Sequence, residues 1–254
     1  MGYKIGLDLG STAIKMVLVK DRNIEWSGKV PTAPGQEHLA MGLVKDALNE
    51  CGLSDTDIDK VSATGYGKKL VSNAENTVDE ISANAQGMFH LSGGRCRTII
   101  NIGGQDLKVI NLEDTGKIAD FRMNDKCAAG TGRFFEQVAR ILDTPLECFG
   151  EMSLSADEAL ELNSTCVVFA ESEIVSLLAK GVKKENIIKG LHYSVARRIT
   201  HLLGRQKTTE GGIYLDGGPS QNPGLQDALE DELLMEVNVL PKPQFTVAFG
   251  AAIS

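Results

Sequence analysis

A pattern of apolar strand, glycine turn and second apolar strand occurs twice in the chain, at an offset of 93 residues (101 minus 8). When residues 101–112 are aligned with residues 8–19, Gly103 falls on Gly10, Lys108 falls on Lys15, and apolar positions fall on apolar positions. Such a degenerate repeat is expected where one unit of β-meander and helices is used twice. It predicts a chain with two similar lobes.

The remaining periodicity alternates strands with helices, which is typical of an α/β fold. In the first part of the chain it predicts strands over Lys4–Leu9, Ala13–Val19, Ile24–Val30 and Lys60–Thr64, and helices over Gln36–Cys51 and Asp79–Leu91. Later it predicts helices over Thr131–Leu142, Val167–Ala179, Glu185–Leu203, Gly224–Leu233 and Val247–Ile253, and strands over Gly212–Asp216 and Glu236–Leu240. We expect residues 1–95, completed by residues 245–254, to form the first lobe and residues 96–244 the second.

The first glycine turn has the composition of a phosphate-binding loop. Gly10 permits a sharp turn after the strand, and the amides and hydroxyls of Ser11 and Thr12 can donate to phosphate oxygens. Asp8, at the strand end, could hold Mg²⁺ through water, and Lys15 could add a positive charge near the phosphates. The alternative interpretation is an ordinary hairpin with an aspartate at its end.

Two further glycine turns extend this prediction. Gly103 and Gly104 leave room for a γ-phosphate, and either Gln105 or Asp106 could orient the attacking water or hold the metal, because phosphoryl transfer depends mainly on positioning and charge. A third turn, at a strand end before a helix, could pass under an adenosine. Its candidate contacts are Gly217, Gly218, Gln221 and Asn222.

The chain has no P-loop signature and no dinucleotide-binding fingerprint after a strand. The three turns, in this order, resemble those of the actin, sugar-kinase and heat-shock-chaperone ATPase superfold, whose duplicated lobes are ribonuclease-H-like. The resemblance implies a nucleotide in the cleft between two lobes, and it covers nearly the whole chain.

Two of the five cysteines have neighbours that suggest chemistry. Cys127 and Cys166 each lie among small or hydroxyl residues just ahead of a predicted helix, where the helix dipole and free amides favour a thiolate. Cubane iron–sulfur clusters use four thiolates, so a two-fold dimer giving two plus two could complete one site; a shared tetrahedral zinc would satisfy the same count. For Cys51, Cys96 and Cys148 we expect the ordinary role of small buried hydrophobes.

Longer motifs make the resemblance closer. The segments 102–106, 124–134, 164–166 and 169–173 (IGGQD, NDKCAAGTGRF, STC and FAESE) resemble the activator ATPases of 2-hydroxyacyl-CoA dehydratases, related to ATPase subunits of benzoyl-CoA reductases and reductases of double-cubane-cluster proteins. The resemblance implies one [4Fe–4S] cluster per homodimer, with Cys127 and Cys166 as its ligands. It also implies ATP or ADP with Mg²⁺, contacted by Ser11, Thr12, Ala13, Ile14, Lys15, Gly218, Gln221, Asn222 and Gln244.

From this resemblance we expect ferredoxin or flavodoxin as electron donor and a dehydratase-type or double-cubane iron–sulfur protein as acceptor. A net charge of -8 and the absence of a basic stripe disfavour nucleic acid. With no secretory signal and no apolar run near the ~20 residues that span a bilayer, we expect a soluble cytoplasmic protein. Two alternative functions stay open here, a small-molecule kinase of the sugar type and a regulatory module with structural zinc.

Overall fold

The computed structural model describes residues 2–124, 126–162, 167–204 and 211–254. Cys166 and the STC motif around it therefore lie outside the described residues. The chain divides into two compact units. The first unit comprises Met1–Arg97, Asn111–Ala119 and Leu240–Ser254, and the second comprises Thr98–Ile110 and Asp120–Val239.

The elements follow one another in the alternating order that the sequence predicts. Ten strands are described: β1 (Tyr3–Leu9), β2 (Ala13–Lys20), β3 (Asn23–Pro31), β4 (Ile58–Thr64), β5 (Asn76–Thr77), β6 (Cys96–Ile102), β7 (Leu107–Leu112), β8 (Ile118–Asn124), β9 (Gly212–Gly217) and β10 (Val237–Val239). Eight α-helices are described: α1 (Gln36–Cys51), α2 (Glu80–Leu91), α3 (Gly132–Ile141), α4 (Phe149–Leu154), α5 (Val167–Ala179), α6 (Lys184–Leu203), α7 (Pro223–Leu233) and α8 (Thr246–Ile253). The predicted helices are confirmed to within one residue at each end; α4, β5 and β8 were not predicted.

The two sheets have the same strand order, which confirms the internal repeat. The orders are β3-β2-β1-β4-β5 and β8-β7-β6-β9-β10. In the first sheet β2 is antiparallel to both β1 and β3, whereas β4 runs parallel to β1 and to β5. In the second sheet β10 runs parallel to β9. Each sheet is therefore a meander of three strands extended by two more on the β1 or β6 side.

The central strands β1 and β2 of the first sheet are buried on both faces because they are apolar at successive positions, as is usual for strands covered by helices. On β2, Ile14, Met16 and Leu18 belong to the core cluster that includes Ala40, Leu43 and Ala47 of α1. The alternate residues Val17 and Val19 pack with Ala248, Phe249 and Ala252 of α8 instead. Helix α8, which is almost wholly buried, thus closes the second face of the sheet.

Close backbone contacts fix α8 in place. A Cβ atom at Gly250 would lie 1.7 Å from the carbonyl oxygen of Ala83 in α2, and one at Gly6 in β1 would lie 2.0 Å from the carbonyl oxygen of Ala248. Only glycine allows these backbones to approach so closely. The last helix is therefore an integral part of the first unit.

The second unit has its own core, formed by β6, β7, β9 and their helices. Helix α6 supplies the largest share, with Ile187, Ile188, Leu191, Val195 and Ile199 all buried. Phe134 and Phe135 of α3 are also buried. Among the described residues, no helix is both long enough and apolar enough to cross a bilayer.

The expectation for the other cysteines is confirmed only in part. Cys96 is buried, as expected, and Cys148 is half-buried. For Cys51 the expectation was wrong, because this residue is the last of α1 and faces solvent.

Candidate functional site

The Gly10 turn joins β1 to β2 in the first unit. The Gly10 N–H donates to the Ala13 carbonyl oxygen at 3.2 Å, and the Thr32 hydroxyl donates to the Gly10 carbonyl oxygen at 2.8 Å. Ser11 and Thr12 are half-buried at its tip, and Ala13 and Ile14 begin β2. The turn is thus a fixed backbone loop with two hydroxyl side chains at its end.

A buried carboxylate lies directly below this loop. Asp8 is 4% exposed, and its Oδ2 lies 2.8 Å from the Lys15 Nζ. In the strand register Asp8 is opposite Thr64, whose buried hydroxyl finds no hydrogen-bond partner among the described residues. A carboxylate beside an unused hydroxyl is a donor set that suits Mg²⁺ with part of its hydration shell. The residues at this strand end would fit a partly hydrated Mg²⁺.

A second loop, which the sequence patterns do not predict, lies beside Asp8. After β4 the chain runs Gly65-Tyr66-Gly67, and the Gly67 N–H donates to the Leu9 carbonyl oxygen at 3.1 Å. A Cβ atom at Gly65 would lie 2.7 Å from Asp8 Oδ1. The signal that could have found this loop is its position at the carboxyl end of β4, the parallel neighbour of β1, where ligand-binding residues of parallel sheets collect.

The Gly103 turn occupies the corresponding place in the second unit. The Gly103 N–H donates to the Asp106 carbonyl oxygen at 2.9 Å. The Asp106 carboxylate folds back over Gly103, where a Cβ atom would lie 2.1 Å from Oδ1, and it pairs with Lys108 at 2.7 Å. Gln105 is exposed, so of the two candidates for positioning water only Gln105 has a side chain that reaches solvent.

The Gly217 turn follows β9, the strand next to β6. Gly217 has a φ of 93° and approaches β6 so closely that a Cβ atom would lie 2.1 Å from the Ile102 carbonyl oxygen. Only glycine satisfies both constraints. The preceding Asp216 is fully buried and accepts a 2.7 Å hydrogen bond from the Asn101 amide of β6. The second and third predicted turns are therefore joined at adjacent strand ends.

The rest of this turn leads into α7. Gly218 is exposed and has open space around its Cα, while Gln221 is also exposed. The Asn222 side chain caps α7, because its Oδ1 accepts from the Leu225 N–H at 3.1 Å. Its Nδ2 lies 2.9 Å from Nε2 of His192, a residue that no sequence motif points to.

Gln244 belongs to the first unit, on the 3-10 turn that precedes α8. Its Oε1 accepts a 2.6 Å hydrogen bond from the Lys29 Nζ of β3. Within the first unit, therefore, the predicted contacts form two groups: the Asp8–Lys15 run on β1 and β2, and Gln244 with its lysine on β3.

The first two residues of α3, the helix that follows the Cys127 segment, are hydrogen-bonded to the Gly103 turn. Cys127 is half-buried and precedes α3 by five residues. Thr131, at the N-cap position, makes no side-chain capping bond and donates its hydroxyl to the Ala128 carbonyl oxygen instead. The first amides of α3 find their acceptors in the turn: the Gly132 N–H donates to Gly103 O at 2.9 Å and the Arg133 N–H to Gly104 O at 3.0 Å.

A half-buried thiol at this place is chemically suited to an iron–sulfur cluster, since thiolates are the usual ligands and need access at a surface. Cys166 lies outside the described residues, immediately ahead of α5. Within the described part of the chain, no three His, Cys, Asp or Glu side chains come together as a metal site. Cys127 is one thiol that could serve such a cluster, and the remaining ligands would have to come from elsewhere.

Comparison with known proteins identifies the family. Residues 5–254 match the BadF/BadG/BcrA/BcrD ATPase family. The chain belongs to this family. It is therefore an ATPase, and the resemblance inferred from the motifs is confirmed.

Individual relatives are similar to this chain over nearly its full length. The activator of lactoyl-CoA dehydratase from Anaerotignum propionicum is 44% identical over 252 residues, 99% of this chain and 96% of the relative. The solved structure of the activator of the 2-hydroxyisocaproyl-CoA dehydratase from Clostridium difficile, with bound ADPNP, has a TM-score of 0.93 at 38% identity, covering 99% of this chain and 93% of that one.

A more distant structure bears on the fold alone. A ROK family glucokinase from Streptomyces griseus has a TM-score of 0.62 at 16% identity, covering 99% of this ATPase and 98% of the glucokinase. The predicted fold class, the actin and sugar-kinase superfold, is thereby confirmed.

Proposed function

We propose that this ATPase is an ATP-driven one-electron reductase that activates a partner enzyme of the 2-hydroxyacyl-CoA dehydratase or double-cubane-cluster type. The names of its relatives support this, since the Anaerotignum propionicum protein is an activator of lactoyl-CoA dehydratase. Ferredoxin or flavodoxin is the proposed electron donor. The protein is proposed to act in the cytoplasm, apart from membranes and nucleic acid.

The nucleotide contacts are assigned to the three glycine turns. The Gly10 and Gly103 turns bind the phosphates, with Lys15 as the cation, and the Gly217 turn with Gln221 and Gln244 binds the adenosine. Asp8 holds Mg²⁺ through water, a role that its burial and the unused Thr64 hydroxyl support. Gln105 is the better candidate for orienting the attacking water because Asp106 is already paired with Lys108.

The observation that carries the proposal is the cap of α3. A helix begins with amides that need acceptors, and in α3 two of them use the carbonyls of Gly103 and Gly104. A phosphate that binds this turn and shifts its peptides must therefore change how α3 begins. Because Cys127 lies on the segment leading into α3, these two hydrogen bonds would couple the cysteine to a nucleotide bound at the turn.

Cys127 and Cys166 of two chains are the proposed ligands of one [4Fe–4S] cluster. When bound, the cluster would supply the ability to accept and release one electron. Apolar side chains near both cysteines support a two-fold homodimer around this site. Val168 and Phe169, just after Cys166, are each 69% exposed, and Phe121 and Met123, just before Cys127, are also exposed. Exposed apolar surface of this kind is typical of an interface.

The ligand assignment is tested by metal content. Anaerobically purified protein should be a dimer by light scattering and contain about four irons per dimer. Cys127→Ser and Cys166→Ser should each lose the iron but still bind ATP, whereas Cys51→Ser, which changes an exposed cysteine on α1, should keep it. A colourless monomer, or iron retained in both cluster variants, would contradict the proposal.

The coupling through α3 is tested by amide hydrogen exchange. ADPNP should change the protection of the Gly132 and Arg133 amides, which donate to the Gly103 turn. The Ile81 and Ser82 amides of α2 are the matched control, because the Asp79 side chain is their acceptor. Equal behaviour of the two helix starts would refute the coupling.

The adenosine assignment is tested at Gly218. Its φ is -60° and nothing lies within 4 Å of the place where a Cβ would stand, so Gly218→Ala should fold normally. If the nucleotide passes over this backbone, the added methyl should weaken ATP binding. Unchanged affinity would show that the nucleotide does not approach the turn.

A further inference from the structure

We infer that His192, on α6, is a positioning residue for nucleotide binding: through Asn222 it holds the Gly217–Asn222 turn in the form that receives the adenosine. The inference rests on the proposed assignment of this turn to the nucleotide. His192 belongs to none of the glycine turns. It reaches the turn as the middle member of a hydrogen-bonded chain, Ser153–His192–Asn222, whose first two members are buried.

The orientation of the Asn222 amide follows from its two partners. The Leu225 N–H can only donate, so the atom 3.1 Å from it must be the amide oxygen. The NH₂ group therefore points to His192 Nε2, 2.9 Å away. One side chain thus ties the start of α7 to α6.

The same bond fixes the tautomer of His192. Since Asn222 Nδ2 is a donor, His192 Nε2 must be the acceptor and carry no proton. The proton then lies on Nδ1, which donates to the Ser153 hydroxyl of α4 at 2.8 Å. His192 is fully buried, and this burial lowers its pKa from 6.5 to about 3, which is consistent with a neutral ring.

The turn is held at both ends by the second unit. At its start Gly217 lies against the Ile102 backbone, and inside it the Ser220 hydroxyl donates to the Gly217 carbonyl oxygen at 2.7 Å. At its end Asn222 depends on His192. Without the ring nitrogen, the Asn222 NH₂ group loses its acceptor, and the turn must rearrange to find another.

The test separates nucleotide affinity from turnover. His192→Leu should raise the KM and the Kd for ATP about 10-fold, as expected for a half-buried donor left without its partner, while kcat stays within about twofold. His192→Gln should recover most of the affinity, because its carbonyl oxygen can accept from Asn222 and its amide can donate to Ser153. Ser153→Ala should give an intermediate loss.

Three results would overturn the inference. The first is an unchanged affinity for ATP in His192→Leu. The second is a parallel fall of kcat and stability in that variant with no change in KM, which indicates a packing role alone. The third is the opposite tautomer: nitrogen NMR of the unmodified protein must show Nδ1 protonated and Nε2 without a proton. If His192→Leu does not fold, the affinities of His192→Gln and Ser153→Ala for ATP still test the inference.

Failure of the inference is distinguishable from failure of the adenosine assignment. If Gly218→Ala weakens ATP binding and His192→Leu does not, the turn binds nucleotide but His192 does not position it. If neither variant has an effect, the adenosine lies elsewhere and both assignments are wrong.

Discussion

In both units a four-residue glycine turn joins the first two strands, and the same backbone hydrogen bond closes it, from Gly10 to Ala13 and from Gly103 to Asp106. Each unit also has a lysine five residues after that glycine, Lys15 or Lys108, and each lysine pairs with an aspartate. The aspartates occupy different places. Asp8 lies at the strand end below the first turn, whereas Asp106 lies within the second turn.

The different positions of the two aspartates indicate that the two turns have different functions. The Lys15 side chain keeps 21% of its area exposed and could move to a phosphate, while the side chains of Lys108 and Asp106 are 4% and 6% exposed. Where the first unit has Asp8, the second has Asn101, which is bonded to Asp216. The first turn retains charges for a ligand, and the second uses its charges to lock the backbone that caps α3.

The largest effect should separate the two lysines. Lys108→Met leaves the Asp106 carboxylate buried without its lysine and should lower the free energy of unfolding by about 3–5 kcal/mol. Lys15→Met should cost clearly less free energy of unfolding, because the Lys15 side chain is more exposed to solvent than that of Lys108 (21% against 4%). Urea denaturation of both variants checks this, and equal losses would show that the two ion pairs do the same job.

Next in size is the change at Asp8. Asp8→Asn keeps the shape of the side chain but removes the charge proposed for Mg²⁺, and kcat for ATP hydrolysis should fall roughly 10²–10³-fold. Asp114→Asn is the matched control, since this carboxylate is 93% exposed in a surface ion pair. Normal turnover of Asp8→Asn would show that the first turn does not hold the metal.

Acid should act on the second unit through His192. Its pKa is 6.5 in the unfolded chain and about 3 in the folded one. Between these two pH values the unfolded state therefore binds a proton at His192 that the native state does not bind. Stability therefore falls with decreasing pH in this window, by about 1.4 kcal/mol per unit. Denaturation curves should show that His192→Gln flattens this slope; an unchanged slope would assign the acid sensitivity to other groups.

The smallest effect concerns the two helix starts. In the first unit Asp79 caps α2 by accepting from the Ile81 and Ser82 amides at 3.0 and 3.2 Å. Asp79→Ala should cost about 1 kcal/mol of unfolding free energy and leave ATP hydrolysis unchanged. A large fall in hydrolysis would mean that α2 as well as α3 is coupled to the nucleotide.

Much of the fold and of the candidate site could be predicted from the sequence, because the local sequence patterns agree with the tertiary structure. The apolar period of Leu39, Leu43 and Ala47 predicts α1, and the repeat around Gly10 and Gly103 predicts the matching sheets. The acidic residues and glycines of the turns could also be predicted, since they lie within a few residues of each other at the ends of predicted strands.

What could not be predicted depends on contacts between distant segments. Nothing near His192 in the sequence points to Asn222, 30 residues later, because α6 and α7 meet only in the folded unit. The cap of α3 is equally hidden: Thr131 has the right side chain for an N-cap, yet the carbonyls of Gly103 and Gly104 take that role. Cys51 has an apolar pattern before it and still lies on the outer face of α1.

The burial of α8 against β1, β2 and α2 has a consequence for synthesis on the ribosome. All segments of the second unit have been translated by Val239, but the core of the first unit lacks one face until residues 246–253 emerge. The first unit therefore cannot complete its core, and one apolar face of its sheet stays uncovered, until α8 has been made. The second unit does not depend on this helix for its own core. For this protein, chaperones should be needed most by the part that is made first.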